Sequence, residues 1–194
     1  MTSTAENNIS IPTGHIEVIC GSMFSGKTEE LISRLKVGQK NKKKVIGFKP
    51  DVDSRYHDSD IVSHNQNKFK SQSVKNPNEI IKLSLGCDVI GIDEIQFFNH
   101  EIIKVCNELA NKGKIVIVAG LDMDFLGRPF SCMLQIMALA EKVLKMHARC
   151  NDCGCEANHT FRKGAKKELI QIGEKSDYLA LCRNCFNTRL KINE

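Results

Sequence analysis

A short glycine-containing segment constrains the fold of this chain more than any other feature. The pattern GxxxxGK[ST] is satisfied by Gly21-Ser22-Met23-Phe24-Ser25-Gly26-Lys27-Thr28. An apolar stretch over residues 15–20 precedes it, and apolar residues at helical spacing follow it at Leu31, Ile32 and Leu35. This succession predicts a strand, a tight loop and a helix, which is the context in which the pattern surrounds phosphate groups. The sequence therefore predicts a phosphate-binding loop.

Each residue type in this loop serves a different purpose in phosphate binding. Gly21 and Gly26 allow the backbone to curl so that successive N–H groups point at the β- and γ-phosphates of a nucleotide. Lys27 supplies positive charge to those phosphates, and Thr28 offers a hydroxyl to Mg²⁺. The helix that begins at Lys27 directs its positive dipole end to the same place. We therefore expect all eight residues, 21–28, to bind nucleotide phosphates and Mg²⁺.

Two adjacent acids supply the second element expected of such a site. Residues 88–92 form a short apolar strand that ends in Asp93 and Glu94. An acid at the end of a neighbouring strand commonly holds Mg²⁺ in nucleotide-binding folds. Alone, one acid after a strand would indicate an exposed turn. Together with the phosphate loop, Asp93 is predicted to face Mg²⁺, and Glu94 to act on a water or a substrate hydroxyl.

Strand and helix patterns alternate through the first three quarters of the chain. Strands are predicted over 15–20, 44–49, 88–92, 114–120 and 143–147, and helices over 27–37, from 76, over 99–111 and over 132–140. Such alternation predicts an α/β fold with a mostly parallel sheet. The character changes after Met146, where cysteines and short basic turns replace apolar periodicity. We predict a flexible N-terminus over 1–13, a P-loop α/β nucleotide-binding domain over 14–146 and a small zinc-binding domain over 147–194.

Two CxxC pairs lie in that last segment. They are Cys150 with Cys153 and Cys182 with Cys185. Tetrahedral Zn²⁺ accepts four thiolates, and each CxxC turn presents two of them, which leaves no position for water. A segment of about fifty residues is too small to bury a strong core without such a staple. We therefore expect a structural, ribbon-like Zn²⁺ site. Cys155 is a rival ligand that the spacing disfavours, and a redox-active CxxC would need a helix start after a strand.

Composition excludes several classes of protein. Hydrophobic residues make up 41% of the chain and charged residues 26%, which is unlike a disordered chain. No apolar run approaches the roughly 20 residues of a membrane span. The first thirteen residues lack the basic and apolar regions of a signal peptide. In a chain without an export signal, disulfides are rare, so the nine cysteines indicate buried, catalytic or metal-binding thiols in a reducing compartment. We therefore expect a cytoplasmic protein, and its net charge of +5 does not demand a nucleic-acid partner.

Taken together, these motifs resemble the zinc-containing, tetrameric cellular type of thymidine kinase. The resemblance covers roughly residues 14–190 and is carried by the following segments: the phosphate loop with Met23-Phe24 inside it, Asp53-Ser54-Arg55-Tyr56, Asp93-Glu94-Ile95-Gln96-Phe97-Phe98, Gly120-Leu121-Asp122 with Phe125 and Phe130, and a loop between the cysteine pairs that ends at Tyr178. Ser22, where the family usually has Pro, and residues 173–176 depart from the pattern. The end of the chain at Glu194, without the long tail of animal members, favours a bacterial or viral-type member.

The resemblance implies transfer of the γ-phosphoryl group of ATP to the 5′-hydroxyl of thymidine, giving dTMP for DNA synthesis. Glu94 would be the general base, Lys27 and Arg55 would act near the phosphates, and Asp53 would lie close to the metal. The implied ATP and Mg²⁺ contacts also include Asp93, Ile95 and Gln96. The implied thymidine contacts are Met23, Leu121, Phe125, Phe130 and Thr160, with Ile170, Gln171, Ile172, Gly173 and Tyr178 of a substrate "lasso" loop. A homotetramer and feedback by dTTP are implied as well.

Two other functions compete with a kinase. A nucleic-acid-binding ATPase would need helicase motifs, for which 194 residues leave no room, and aromatic or Arg-rich strands on the zinc segment. A non-catalytic nucleotide sensor would not need Glu94 after Asp93. The aromatic residues Phe97, Phe98, Phe125 and Phe130 are also typical of core packing. We therefore expect an enzyme with neither nucleic-acid nor membrane partners.

Overall fold

The computed structural model describes residues 14–51, 60–63, 66–164 and 177–192. Several residues of the sequence-based predictions lie outside the described residues: the N-terminal segment 1–13, Asp53, Arg55, Ile170, Gln171, Ile172 and Gly173. Their predicted roles stay predictions.

Strands and helices follow one another in the order expected of an α/β chain. In sequence they are β1 (His15–Gly21), α1 (Lys27–Lys40), β2 (Val45–Pro50), β3 (Ile61–Val62), β4 (Lys68–Phe69), β5 (Ser71–Val74), α2 (Asn78–Leu83), β6 (Val89–Ile92), α3 (Glu101–Asn111), β7 (Ile115–Gly120), α4 (Ser131–Leu139), β8 (Lys142–Met146), β9 (Ala148–Arg149), β10 (Glu156–Ala157), β11 (His159–Arg162), β12 (Tyr178–Leu181) and α5 (Arg183–Ile192). A 3₁₀ turn covers Ile95–Phe97.

The central sheet has six strands in the order β5-β2-β6-β7-β1-β8, and each neighbouring pair is parallel. Register aligns Cys20 of β1 with Gly120 of β7, and Ile92 of β6 with Val118 of β7. The carboxyl ends of β1, β6 and β7 therefore lie side by side. Ligands of parallel α/β sheets bind at this edge. The phosphate loop follows β1 there, Asp93 follows β6, and Leu121 follows β7.

Helices cover both faces of the sheet. On one face, Leu31, Ile32 and Leu35 of α1 pack against Ile19 and Ile117. On the other face, α3 and α4 bury a larger cluster that includes Ile102, Ile103, Leu109, Met133 and Ile136. Gly91 of β6 allows α1 to approach closely, because a Cβ at this position would lie 2.6 Å from Leu35. The continuous apolar strand β7 is buried on both faces, as its sequence predicts.

The C-terminal segment forms a small unit of its own, here called the cysteine module, residues 147–164 and 177–192. Two antiparallel pairs, β9–β10 and β11–β12, and α5 surround a third apolar cluster that contains Phe161, Leu181 and Phe186. The ring of His159 stacks on Phe186 with centroids 4.6 Å apart. The predicted domain boundary near residue 146 stays a prediction.

The structure confirms the predicted α/β class and the strands and helices that the periodicity indicates. The helix predicted from residue 76 begins two residues later, at Asn78. Asn76 Oδ1 accepts the Asn78 N–H at 2.9 Å, and the Glu79 carboxylate accepts the Asn76 N–H at 3.2 Å. Sequence patterns did not predict β3, β4 or the polar edge strand β5. Within the described ranges, the longest apolar helical stretch falls short of what crossing a membrane would require.

Candidate active site

Glycines at both ends shape the phosphate loop, and hydrogen bonds between its own residues hold it together. A Cβ at Gly21 would lie 2.1 Å from the Met146 carbonyl oxygen, so only glycine fits there. Gly26 has φ 87° and starts α1 in the left-handed region that glycine favours. The Ser22 carbonyl accepts hydrogen bonds from Ser25 Oγ at 2.8 Å and from Lys27 Nζ at 2.7 Å. Lys27 is therefore held across the mouth of the loop.

Lys27 is a buried cation among carboxylates. Burial lowers the pKa of Lys27, while Glu94, Asp93 and Asp122 act in the opposite direction through their charges. Its side chain is thus both desolvated and surrounded by negative charge. A cation in such an environment interacts strongly with any anion that enters, because solvent screens it little.

Thr28 and Asp93, the two predicted Mg²⁺ residues, come together at this edge. The Thr28 hydroxyl donates a hydrogen bond to the Asp93 carboxylate, and so does the Glu94 N–H at 3.0 Å. Burial and the neighbouring Glu94 charge nevertheless raise the pKa of Asp93 to about 7. A hydroxyl and a carboxylate are the oxygen donors that Mg²⁺ prefers. This donor set fits a Mg²⁺ ion.

Glu94 is held in a strained and specific position. Its φ of 50° and ψ of 40° lie in the left-handed region, which is uncommon for a residue with a Cβ. The side-chain amide of Gln96 donates to its carboxylate. The Gln96 carbonyl oxygen in turn accepts the Leu121 N–H at 2.9 Å. Gln96 therefore connects the acid after β6 to the segment after β7, while the neighbouring Ile95 is fully buried in the larger core cluster.

The predicted substrate residues fall into two groups. Met23 lies beside Thr160, since the Met23 N–H donates to Thr160 Oγ1 at 3.0 Å, and Leu121 lies beside Gln96. The guanidinium of Arg162 lies over the ring of Phe125, with Arg162 Cζ 3.8 Å from the ring centroid. These contacts place residues of β11 next to the phosphate loop and next to the segment after β7.

Phe130 and Tyr178 have other surroundings. Phe130 precedes α4 and packs against the larger core cluster, as the core-packing alternative for the aromatic residues expects. Tyr178 starts β12 and pairs in register with Arg162. Phe98 is buried in the same core cluster as Phe130.

Sequence reasoning missed three contacts of this region. Arg162 is buried against Phe125, Asp122 pairs with Lys145 at 2.8 Å, and Ser22 Oγ donates to the Ala157 carbonyl at 3.2 Å. Each contact joins residues that are distant in the chain. The only sequence signal for any of these contacts is the serine at position 22, where the family usually has proline. Its hydrogen bond to Ala157 fixes the first residues of the phosphate loop.

The four cysteines of the CxxC pairs form one cluster. One sulfur from each lies within 4.8 Å of the others, and the sulfurs of Cys153 and Cys182 are 3.6 Å apart. Four thiolates at about 2.3 Å from a tetrahedral Zn²⁺ would lie about 3.8 Å from one another. The cluster therefore fits a metal ion such as zinc. Cys155, the rival ligand, is exposed and is not part of it.

Cys150 is poised as a thiolate within this cluster. Burial raises its pKa, but hydrogen bonds from the backbone N–H groups of Cys182, Cys153 and Asp152 outweigh burial and bring the pKa to about 6. N–H groups that stabilise a thiolate also stabilise a metal-bound sulfur.

Comparison with known proteins identifies the family of this chain. A family model described as thymidine kinase matches residues 14–186, which include the phosphate loop, the acid pair and all four clustered cysteines. The chain belongs to the thymidine kinase family. The resemblance predicted from its motifs is therefore confirmed, and so is the prediction that it is an ATP-dependent kinase.

Bacterial members of the thymidine kinase family are similar to this chain over most of their length. A thymidine kinase of Rhodothermus sp. (strain ITI 518) is 50% identical over 173 residues, which are 89% of this chain and 81% of that protein. One from Porphyromonas gingivalis is 46% identical over 183 residues, 93% of this chain and 90% of the relative. One from Bacteroides fragilis is 47% identical over 178 residues, with 92% and 89% covered.

Proposed function

We propose that this chain transfers the γ-phosphoryl group of ATP to the 5′-hydroxyl of thymidine, giving ADP and dTMP. The observation that carries the proposal is the convergence of Lys27, Asp93 and Glu94 at one edge of the sheet, in a chain of the thymidine kinase family. Phosphoryl transfer needs a cation at the phosphates, a base near the attacking hydroxyl and in-line placement of the two substrates. These three residues supply the first two requirements.

ATP is proposed to bind in the phosphate loop. Residues 24–28 are proposed to surround the phosphates with their N–H groups, while the Met23 N–H donates to Thr160 Oγ1. Lys27 exchanges the Ser22 carbonyl for a phosphate oxygen, which is charged and therefore a stronger acceptor. Thr28 and Asp93 are proposed to hold Mg²⁺, which when bound supplies positive charge that neutralises the phosphates. Asp53 and Arg55, outside the described residues, are proposed to assist at the phosphates.

Glu94 is proposed as the general base. Its carboxylate takes the proton of the 5′-hydroxyl while the hydroxyl oxygen bonds to the γ-phosphorus and the bond from that phosphorus to the β–γ bridging oxygen breaks. ADP leaves with the electron pair of that bond, and the proton stays on Glu94. Gln96 donates to one oxygen of Glu94 and so fixes the direction of the carboxylate.

Thymidine is proposed to bind between the segment after β7 and the cysteine module. Met23, Leu121, Phe125 and Thr160 are proposed to line this site. The Met23–Thr160 and Phe125–Arg162 contacts support this, because they bring β11 next to the phosphate loop and next to the segment after β7. Phe130 and Tyr178 are kept in the proposal as more distant contacts. The loop residues Ile170, Gln171, Ile172 and Gly173 would complete the site. The cysteine cluster is proposed to hold a structural Zn²⁺, since its four thiols leave no ligand position for substrate.

The proposal extends to assembly and regulation. Leu134 and Leu139 of α4 and Val143 and Leu144 of β8 are exposed apolar side chains, which supports a homotetramer that buries some of them. The proximity of Thr160 to the phosphate loop supports feedback by dTTP, which carries a thymine and a triphosphate in one molecule. A cytoplasmic location is supported by the free thiols of the chain.

A nucleoside panel tests the proposed reaction. The zinc-loaded protein with Mg²⁺ and ATP would be incubated with thymidine, deoxycytidine, deoxyguanosine or no nucleoside, and the product identified by mass. We expect dTMP and an equal amount of ADP, formed only with thymidine or its close analogues. ATP hydrolysis that ignores nucleosides and rises with added DNA would contradict the proposal and favour a nucleic-acid-dependent ATPase.

A further inference from the structure

The entry of the phosphate loop is attached to the cysteine module at two adjacent residues. Ser22 Oγ donates to the carbonyl of Ala157 in β10, and the Met23 N–H donates to Thr160 Oγ1 in β11. Ser22 is only 2% exposed and Thr160 only 3%, so water competes little for either hydrogen bond.

Both attachment points lie on strands that are tied to the cysteine pairs. Ala157 pairs in register with Ala148, two residues before Cys150. Thr160 pairs with Ala180, two residues before Cys182. The two hairpins are joined directly, because Asn151 and Ala180 exchange hydrogen bonds of 2.8 and 2.9 Å. The geometry of the cysteine cluster therefore fixes where Ala157 and Thr160 lie.

The same loop residue also positions the lysine of the phosphate site. The Ser22 carbonyl accepts from Lys27 Nζ at 2.7 Å and from Ser25 Oγ at 2.8 Å. Ser22 thus holds Ala157 with its side chain and Lys27 with its backbone. A displacement of Ser22 moves the acceptor to which Lys27 is bound.

We propose that the cysteine module, with its metal, controls nucleotide affinity through Ser22, which acts as a positioning residue for the phosphate loop. When the module is ordered by metal, Ala157 and Thr160 hold the loop in the shape that receives phosphates. When metal is absent, the hairpins loosen and the loop loses both anchors. By linkage, nucleotide binding must then tighten metal binding by the same factor. This inference rests on the proposed nucleotide binding at the phosphate loop.

The test measures that linkage on metal-loaded protein. The affinity for Zn²⁺ is measured by competition with a chromophoric chelator, with and without saturating ADP and Mg²⁺. For the wild type we expect ADP to tighten Zn²⁺ binding by roughly 5-fold or more, a typical size for coupling between sites. In Ser22→Ala, which deletes one hydroxyl and keeps the backbone, the ADP effect should fall below about 2-fold.

Matched variants separate this role from a general loss of stability. Ser84→Ala removes another buried hydroxyl, which donates to the Ile81 carbonyl at 3.3 Å, and should keep the wild-type coupling. Thr160→Val should weaken the coupling and Thr160→Ser should restore it, because serine keeps the acceptor oxygen for the Met23 N–H.

Two outcomes overturn the inference and are distinguishable. If ADP binds to the wild type but leaves the Zn²⁺ affinity unchanged, or if Ser22→Ala keeps the full effect, the coupling through Ser22 is wrong while the proposed nucleotide site stands. If ADP does not bind to the zinc-loaded wild type at all, as measured by calorimetry, the proposed function fails and this inference fails with it.

Discussion

Gln96 donates a side-chain hydrogen bond to the carboxylate of Glu94, the residue proposed as general base. Its other amide atom accepts the N–H of Leu121, so one buried side chain spans the ends of two neighbouring strands. The left-handed backbone at Glu94 is a strained conformation, and such strain persists where surrounding contacts overdetermine it. The base is therefore oriented before substrate arrives.

Loss of the Gln96 bridge between Glu94 and Leu121 should slow catalysis while leaving substrate binding nearly unchanged. We expect Gln96→Ala to lower kcat for dTMP formation by about 10-fold or more, because the carboxylate of Glu94 is no longer directed. The KM for ATP should change little. Gln135→Ala, at an exposed position of α4, is the matched control and should behave as wild type. Equal kcat values for Gln96→Ala and wild type would show that the bridge has no role in the reaction.

Gly120→Ala should displace Gln96 and so disturb its bridge between Glu94 and Leu121. A Cβ at this position would lie 2.4 Å from the Gln96 carbonyl oxygen and 2.9 Å from Ile95 Cγ2. We expect a loss of about 1–3 kcal/mol in the free energy of unfolding, together with a lower kcat. Gly86→Ala provides the comparison, since a Cβ there meets nothing within 4 Å and the cost comes from its φ of 75° alone. Denaturant unfolding and steady-state kinetics of both variants would separate the two effects, and an unchanged kcat in Gly120→Ala would contradict the account.

The cysteine ligands should be separable from the fifth cysteine of the module. Cys182→Ser removes one of four clustered thiols and should abolish stoichiometric zinc binding, with loss of protection of residues 147–164 and 177–192 from proteolysis. Cys155→Ser changes an exposed thiol outside the cluster and should retain one zinc per chain. Metal content by atomic emission spectroscopy checks both variants. Loss of zinc from Cys155→Ser would mean that the ligand set is wrong.

Glu17 should make stability depend on acid pH. Burial raises its pKa, but hydrogen bonds from Lys142, His15 and Arg34 outweigh burial and lower the pKa from 4.5 to about 2. Because the folded pKa is depressed, its stabilisation is present above about pH 4.5 and is lost as the pH falls from there towards 2.

The variant Glu17→Gln tests this directly. We expect the free energy of unfolding to fall by about 1–3 kcal/mol at neutral pH, with the difference from wild type shrinking below pH 4.5. Glu108→Gln removes an exposed helical pair with Lys112 and should have a small effect at any pH. A difference between wild type and Glu17→Gln that stays constant down to pH 2 would contradict the assigned cause.

Local patterns account for what the sequence could predict. The phosphate loop, the acid pair Asp93–Glu94 and the two CxxC turns each depend on residues within a few positions of one another, so their types and spacing suffice. The buried strand β7 and the helix α3 follow from apolar periodicity in the same way. Each of these features is determined by residues that are close together in the sequence.

Contacts between distant residues account for what the sequence could not predict. The strand β5, Ser71–Val74, has a polar sequence and joins the sheet only because it pairs with β2 at the edge. The hydrogen bond from Ser22 to Ala157 joins residues 135 positions apart, and Arg162 reaches Phe125 only after β11 docks on the segment following β7. No local pattern contains these pairings, because they depend on how the two parts of the chain meet.

The most direct test of the central claim is the rate of dTMP formation by Glu94→Gln compared with wild type. This change keeps the shape of the side chain but removes its capacity to accept a proton. We predict that kcat falls by about 10²–10⁴-fold, while thymidine binding measured by calorimetry changes less than about 3-fold. Glu108→Gln, an exposed change of the same kind, should retain full activity. A Glu94→Gln variant that forms dTMP at nearly the wild-type rate would contradict the account.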